Sequence, residues 1–450
     1  MPGSGASTEV AVTRLLGVLE ERGIELWYEG DRLRFSAPQG ALDAGLRSDL
    51  AGRRGEIVRH LRSGRLRERQ DLPLSFSQQA LWFLHQQAAD STAYQVAMSV
   101  RVSSAVDVDA VRHGLQGLVD RHASLRTTYP LVDGSPVQRV AGAAVVSFDV
   151  RQLPSADEAE LRRSVEAEYA RPFDLGTGPV FRATLFTRAS VDHVLLVTVH
   201  HIAADGWSLM ILFDELLKLY AEATGGPAAN LARPSLQFAD YAAHQERLCA
   251  GPEGERILRA WQETLAPPRA LLELPCDRPR PAIRTFRGGS CPFQLGPELT
   301  RRVKAVAREE NATTFVVLLA TFHALLFRLT GSTDVIVGTP TLGRCRADWM
   351  RVVGDFANPV PLRGRPKASS TFRELVAELR PTVHAALDAQ EYPLSLLVRR
   401  LQPERAPSRS PLFDTFFALQ LFDQTPAVQK LLVGGETETV DVSGLCLGSF

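Results

Sequence analysis

The chain reads as a mixed α/β protein of two lobes behind a small N-terminal unit. Three observations predict this. Helical and strand patterns alternate from Leu72 to Phe450. A proline-rich stretch, Pro267 to Pro281, divides that region. The first seventy or so residues have their own helix–hairpin–helix order, and 450 residues exceed one ordinary core. The expected boundaries are 1–66 for the small unit, 67–71 for a linker, 72–266 for the first lobe and 267–450 for the second.

In the small unit, Val12, Leu15, Leu16 and Leu19 fall at helical spacing from Thr8 to Arg22, and Gly23 ends the pattern. Ile24 to Tyr28 alternates like a strand, Glu29-Gly30-Asp31 signals a turn, and Arg32 to Phe35 alternates again, giving a hairpin. Helical pattern returns from Leu42 to Leu61, weakened by Gly52 and Gly55. Arg62 to Gln70 is highly charged, as a linker or exposed helix end would be.

Beyond it, Val96–Val102, Val180–Phe186 and Val194–Val199 read as strands, and Val108–His122 and Leu209–Thr224 as helices. After the proline-rich stretch, Pro297–Glu310 and Thr313–Leu329 are helical and Val335–Gly338 is a short buried strand. Phe372–Ala389 is helical, with Pro381 expected to kink or split it. Phe413–Leu421 looks like a strand.

Fifty-one basic and fifty-one acidic residues cancel, which argues against a nucleic-acid groove or an anionic membrane as main partner. The five cysteines are scattered, without a Cys-x-x-Cys pair, so neither a disulfide framework nor a structural zinc site is expected. There is no basic patch followed by an apolar signal core, and the longest apolar run, Phe315 to Phe327, is interrupted by His323 and too short to span a bilayer. A cytoplasmic protein is expected.

Chemistry concentrates where Val194–Val199 runs into His200-His201, with Asp205-Gly206 just before the helix at Leu209. Alternation sends the two imidazoles to opposite faces. A strand-to-helix turn offers free backbone N–H donors at a helix N-terminus. Histidine titrates nearest neutrality, so it can donate or accept a proton there. Gly206 permits a tight turn or close substrate approach. Spacing alone leaves three readings open: buried structural residues, a metal site of His200, His201 and Asp205, or a catalytic turn.

The run His200-His201-Ile202-Ala203-Ala204-Asp205-Gly206 resembles the H-H-x-x-x-D-G signature of nonribosomal peptide synthetase condensation domains, whose fold is that of chloramphenicol acetyltransferase. Further stretches resemble that family's motifs in order. They are Ser75 to Leu84, with Ala80 for the usual Arg, and Arg121 to Tyr129, with Ala123 for the usual Glu. Trp207-Ser208 continues the signature. Phe238 to Ala242 follows, with His244 for the usual Trp, and then Val353 to Asn358, with Ala357 for the usual Val. Gln390 to Pro393 and Arg405 to Leu412 match more loosely.

The resemblance implies two lobes in a V-shaped pseudodimer. It implies amide formation between an upstream acyl or peptidyl thioester and a downstream aminoacyl thioester, both borne on 4′-phosphopantetheine arms of carrier proteins. No cofactor or metal is expected on the chain itself. His201 would be general base or positioning group, with His200, Asp205 and Gly206 in the same catalytic motif. Arg344 would pair with Asp205 across the lobes, making Asp205 an anchor for the loop. Trp207, Ser208, Arg126 and Asn358 would support the site, Ser208 acting as helper or helix cap.

The N-terminal unit resembles tubulysin-type docking domains, on its element order and the Gly23-Ile24-Glu25-Leu26 junction. Such a unit would capture the C-terminal tail of an upstream synthetase by strand addition, with Arg32, Arg34, Arg53, Arg54 and Arg59 meeting acidic residues. The chain would then be a piece of a larger polypeptide. The rival readings are an epimerisation domain, which Trp207 and the N-terminal unit fit less well, and a noncatalytic recruitment module, against which the intact motif speaks. A heterocyclising domain would carry aspartates for the His pair, and a free-standing coenzyme A acyltransferase would have no docking unit.

Overall fold

Two antiparallel strands, β1 (Glu25–Glu29) and β2 (Arg32–Ser36), form the expected hairpin, in register from Glu29 opposite Arg32 to Glu25 opposite Ser36. The computed structural model describes residues 25–29, 32–36, 43–53, 70–266, 272–282, 285, 288–403, 408–420, 439–442 and 445–449. The chain divides into two units, 1–70 and 71–450. In the first, helix α1 (Ala44–Gly52) begins where the Asp43 carboxylate accepts from Leu46 N, and buries Leu46 and Leu50. The helix expected over Thr8–Arg22, and the stretch from Arg54 to Leu61, lie outside the described residues.

The second unit is built on a six-stranded sheet. Its middle is β10 (Asp192–His200), paired antiparallel with β4 (Gln95–Val102) and β9 (Phe181–Ala189); β8 (Ser147–Gln152) runs parallel to β9. Every β10 residue from His193 to His200 is buried, which explains a run that is apolar but for Thr198: both faces are covered. Leu195, Val197 and Val199 join a core with Leu115 and Leu118 of α3 (Val108–Arg121) and Leu212 and Leu216 of α5 (Gly206–Ala223). Val194 and Leu196 face Leu161 and Val165 of α4 (Glu158–Tyr169).

Ahead of this sheet, β3 (Gln70–Pro73) pairs β7 (Ser135–Val140), which also takes β5 (Thr127–Thr128) and β6 (Leu131–Val132). Helix α2 (Phe76–Gln87) starts at a capping box in which Ser75 and Gln78 exchange side-chain-to-backbone bonds. Helices α6 (Phe238–Ala250) and α7 (Pro252–Thr264) follow, and although 72–266 is the expected first lobe, Ile257 and Trp261 of α7 pack in the core of the other half.

The other half has a three-stranded sheet in which β11 (Val335–Thr341) lies between antiparallel β12 (Asn358–Gly364) and parallel β13 (Thr415–Phe416). Helices α8 (Pro297–Glu309), α9 (Thr314–Thr330), α10 (Phe372–Asp388) and α11 (Leu394–Leu401) accompany it. Val316, Leu319 and Ala320 of α9 and Leu375, Val376 and Leu379 of α10 cover β11 and β12. Pro381 does not split α10, because Val383 and Ala386 continue its buried face beyond the proline.

Two expectations change. The strand expected over Phe413–Leu421 pairs, among the described residues, only at Thr415–Phe416. Residues 439–449, counted with the second lobe, form a hairpin of β14 (Thr439–Val442) and β15 (Leu445–Ser449) that extends the first sheet to the order β14-β15-β4-β10-β9-β8, with Leu447 opposite Val102. The cause is apolar: Leu445 and Leu447 enter the first core. Among the described residues no single helix is long and apolar enough to cross a membrane.

Candidate active site

The turn between β10 and α5 is a buried loop held from several sides. Ile202, Ala203 and Ala204 are wholly buried, which small apolar side chains allow. His201 N donates to Tyr94 O, and Asp205 N to Gly354 O. Gln78 Nε2 and Tyr129 Oη both donate to Ile202 O, at 3.0 and 3.2 Å. The opening motif and the Arg121–Tyr129 stretch thus meet at this loop.

The two histidines part as alternation requires. His200 sits in the packed interior, its ring edge-on to His85 and Phe173, with Nδ1 accepting from Ile202 N. Burial, with His85 and His201 nearby, lowers its pKa to about 3, so it stays neutral. The motif groups His200 with the catalytic residues; its bonds place it under the loop.

His201 turns the other way. Its side chain is 29% exposed, and Nδ1 lies 3.1 Å from Asp355 Oδ1, a carboxylate only 3% exposed. Burial opposes charge on the ring. The Asp355 carboxylate, by charge and hydrogen bond, with Asp205 behind it, outweighs burial and raises the pKa to about 9.

Asp205 caps α5, accepting from Ser208 N at 2.8 Å. Arg344 follows β11 and reaches Asp205 with both arms, Nη1 to Oδ2 at 2.6 Å and Nη2 to Oδ1 at 3.1 Å. Nη2 also donates to Ser208 Oγ and Val352 O, and the guanidinium lies over the Phe356 ring. Phe356 N donates to Asp205 Oδ2, and Gly354 N to Ser208 Oγ. Strand β10, helix α5 and the 352–356 loop are therefore bolted together through one buried carboxylate.

Two glycines make the close approach possible. Gly343 has φ +65°, and a Cβ there would stand 1.8 Å from Phe356 O. A Cβ on Gly354 would fall 2.0 Å from the Phe238 ring, inside the cluster of Phe238, Tyr241, Trp349, Val352 and Phe356. Gly354→Ala is expected to destabilise the chain by about 1–3 kcal/mol through overpacking. A urea melt checks this; an unchanged midpoint would contradict the contact.

The remaining sequence-predicted residues divide. Ser208 is wholly buried and engaged by Asp205, Arg344 and Gly354; it braces the turn from inside α5, and the cap expected of it falls to Asp205. Trp207 Nε1 donates to Met350 O. Asn358 holds the 390–394 segment, donating to Gln390 O and Tyr392 O and accepting from Leu394 N. Arg126 spends its donors on Val119 O, Asp120 O and Ala141 O, finishing the end of α3 and making no bond to His201. Gly206 is exposed, with open space where a Cβ would stand and no left-handed φ, so the turn itself does not require glycine there.

The contact of Asp355 with His201 is not visible in the sequence. Its signal is a lone carboxylate between Gly354 and Phe356 in an apolar run. His200, His201 and Asp205 do not converge, and among the described residues no group of three or more His, Cys, Asp or Glu is placed to hold a metal. In the N-terminal unit, the Arg32 and Arg34 backbones lie on β2, Arg53 follows α1, and Arg54 and Arg59 lie outside the described residues.

Residues 68–443 match the family model described as condensation domain. The chain belongs to the condensation-domain family. Residues 12–63 match the TubC N-terminal docking domain model. Tyrocidine synthase 3 from Brevibacillus parabrevis is 36% identical over 352 residues, covering 78% of this chain and 5% of that protein. The condensation domain here thus spans a small part of the length of that curated relative. A crystal structure of the X-domain from teicoplanin biosynthesis superposes with a TM-score of 0.71 at 29% identity, covering 77% of each chain. A four-domain nonribosomal peptide synthetase bound to AMP and glycine gives a TM-score of 0.77 at 21% identity, over 85% of this chain and 29% of that one, a likeness of fold. The α/β fold expected from the motifs is the fold found.

Proposed function

We propose that this condensation domain forms an amide bond at His201 between two carrier-bound substrates. The observation that carries the reading is His201 itself, partly exposed on a turn whose neighbouring residues Ile202 to Asp205 are buried and locked. Rigid mounting of one accessible imidazole is what chemistry by positioning requires.

In the reaction, the acceptor amine attacks the donor thioester carbonyl, the C–S bond breaks and a thiol leaves. At neutral pH the ring is charged, with Nδ1–H donating to Asp355, so Nε2–H is available to the developing oxyanion. The amine proton goes to the departing sulfur or to water. His201 therefore begins as donor and positioner, and not as a base.

The substrates would arrive as thioesters on 4′-phosphopantetheine arms, the donor from an upstream carrier and the acceptor from the downstream one, in the cytoplasm. Residues 1–66 would capture the tail of the upstream synthetase by adding a strand to the β1–β2 pair, which pairs with no other strand among the described residues. Arg32, Arg34, Arg53 and Arg54 would receive its acidic residues.

The test is a single-turnover assay with one donor-loaded and one acceptor-loaded carrier protein. The expected result is amide product on the acceptor arm; its absence with both carriers verified as loaded overturns the reading. Removing residues 1–68 is expected to cut the rate at least ~10-fold at low micromolar donor and to spare it when the donor is raised to millimolar levels. Equal rates at both concentrations would sink the docking assignment.

A further inference from the structure

We propose that Asp355 is a positioning residue for His201, taking the Nδ1 proton in a hydrogen bond and so fixing which edge of the ring meets the substrate. This deepens the reading of His201 as reaction centre and rests on it.

The placement of Asp355 is built, not incidental. Both its neighbours are pinned to the loop that carries His201. Gly354 takes Asp205 N at its carbonyl and gives its own N–H to Ser208 Oγ, while Phe356 N donates to Asp205 Oδ2. Asp355 O accepts from Ser77 Oγ. With the backbone held on both sides, the carboxylate has little freedom, and Oδ1 lies 3.1 Å from His201 Nδ1. An ionised carboxylate only accepts, so Nδ1 must carry a proton. The ring also bonds its own backbone, which raises its pKa less than Asp355 does. Nε2 bonds no other described residue, and the exposure of the pair belongs to His201.

The other charged and titratable groups around the pair are accounted for. Asp205 adds negative potential but is spent on Arg344, and His200, on the opposite face, stays neutral. Tyr129 and Tyr241 feel the Asp355 charge, and burial raises both hydroxyls well above the usual phenol range, so they stay neutral too. Asp355 is therefore the carboxylate that bonds the ring. The proton it stabilises on Nδ1 leaves Nε2 as a donor while the ring is charged, and as the acceptor once the ring gives up its second proton. Asp355 touches neither substrate in this scheme and acts through His201.

The experiment combines Asp355→Asn with Asp355→Ala. The first readout is the titration of His201 in ring-labelled protein, assigned by the signals missing from His201→Ala; it needs no activity, so its failure is separable from failure of the amide-forming reading. Wild type is expected to titrate at about 9. In both variants the midpoint is expected to fall toward the ordinary value of about 6.5. Full return would cut the charged fraction at pH 8 roughly 30-fold. The second readout is the pH profile of single-turnover amide formation. Its histidine limb is expected to move down with the midpoint in both variants. Asp355→Asn, which keeps an acceptor for Nδ1–H, should retain more activity than Asp355→Ala. A wild-type midpoint of about 6.5, or midpoints and pH profiles in a folded variant that match wild type, would overturn the proposal.

Discussion

His201→Ala is expected to slow amide formation at least ~100-fold while leaving the chain folded. The imidazole is 29% exposed and its side-chain bond goes to Asp355, so truncation removes little packing. What it removes is the donor at the reacting carbonyl. A positioned acid–base or oxyanion group contributes about 10²–10⁴-fold, and ~100-fold corresponds to about 2.7 kcal/mol of barrier. Holding two thioesters together can contribute about 7–11 kcal/mol more, so the variant should remain faster than carriers mixed without the domain. Single-turnover rates with saturating carriers and a matched urea melt check this. A folded variant with the wild-type rate would remove His201 from the chemistry.

Arg344→Ala is expected to be the most damaging substitution to stability. The guanidinium is wholly buried against a carboxylate 4% exposed, and it also holds Ser208 and the Val352 carbonyl. Removing it leaves the Asp205 charge buried without its cation. That costs on the order of 3–5 kcal/mol, more than the pair itself contributes over an apolar replacement. Arg344→Met with Asp205→Asn should therefore be less destabilised than the sum of the single changes, because no charge is stranded. Urea midpoints of the two singles and the double check it, and strict additivity would show that the two groups do not depend on each other. Activity should fall with Arg344→Ala even where the protein folds, since Arg344 steadies Val352 O and the Asp205 and Ser208 groups to which Phe356 N and Gly354 N bond on either side of Asp355.

Much of the fold is legible because its strands are fully buried and its helices are well marked. Val194–Val199 reads as a covered strand from its residues alone, while the helix expected from Leu209 with Ser208 as its cap begins three residues earlier, at Gly206, capped by Asp205. The C-terminal hairpin is not legible. Two short strands with Leu445 and Leu447 carry no sign of which sheet they join, since that depends on a distant edge at Val102. Phe413–Leu421 misleads for a related reason, because an apolar stretch shows β-preference whether or not a partner edge is long enough to pair it.

The site is legible in its motif and opaque in its wiring. Alternation separates His200 from His201 correctly, and family resemblance brings Arg344 to Asp205. Asp355 is hidden because its role depends on a contact across 154 residues, and a carboxylate between Gly354 and Phe356 looks like any other loop residue until the loop is docked. Arg126 draws attention as a basic residue beside a motif, yet its bonds go to the carbonyls at the end of α3.

The most direct test of the central claim is to locate the reacting carbonyl. A structure of the chain with a carrier arm bearing a non-hydrolysable donor analogue is predicted to place the carbonyl oxygen within about 2.6–3.2 Å of His201 Nε2, with Nδ1 still on Asp355. An analogue bound with its carbonyl out of reach of His201, in a complex competent to form amide when given the true donor, would contradict the account.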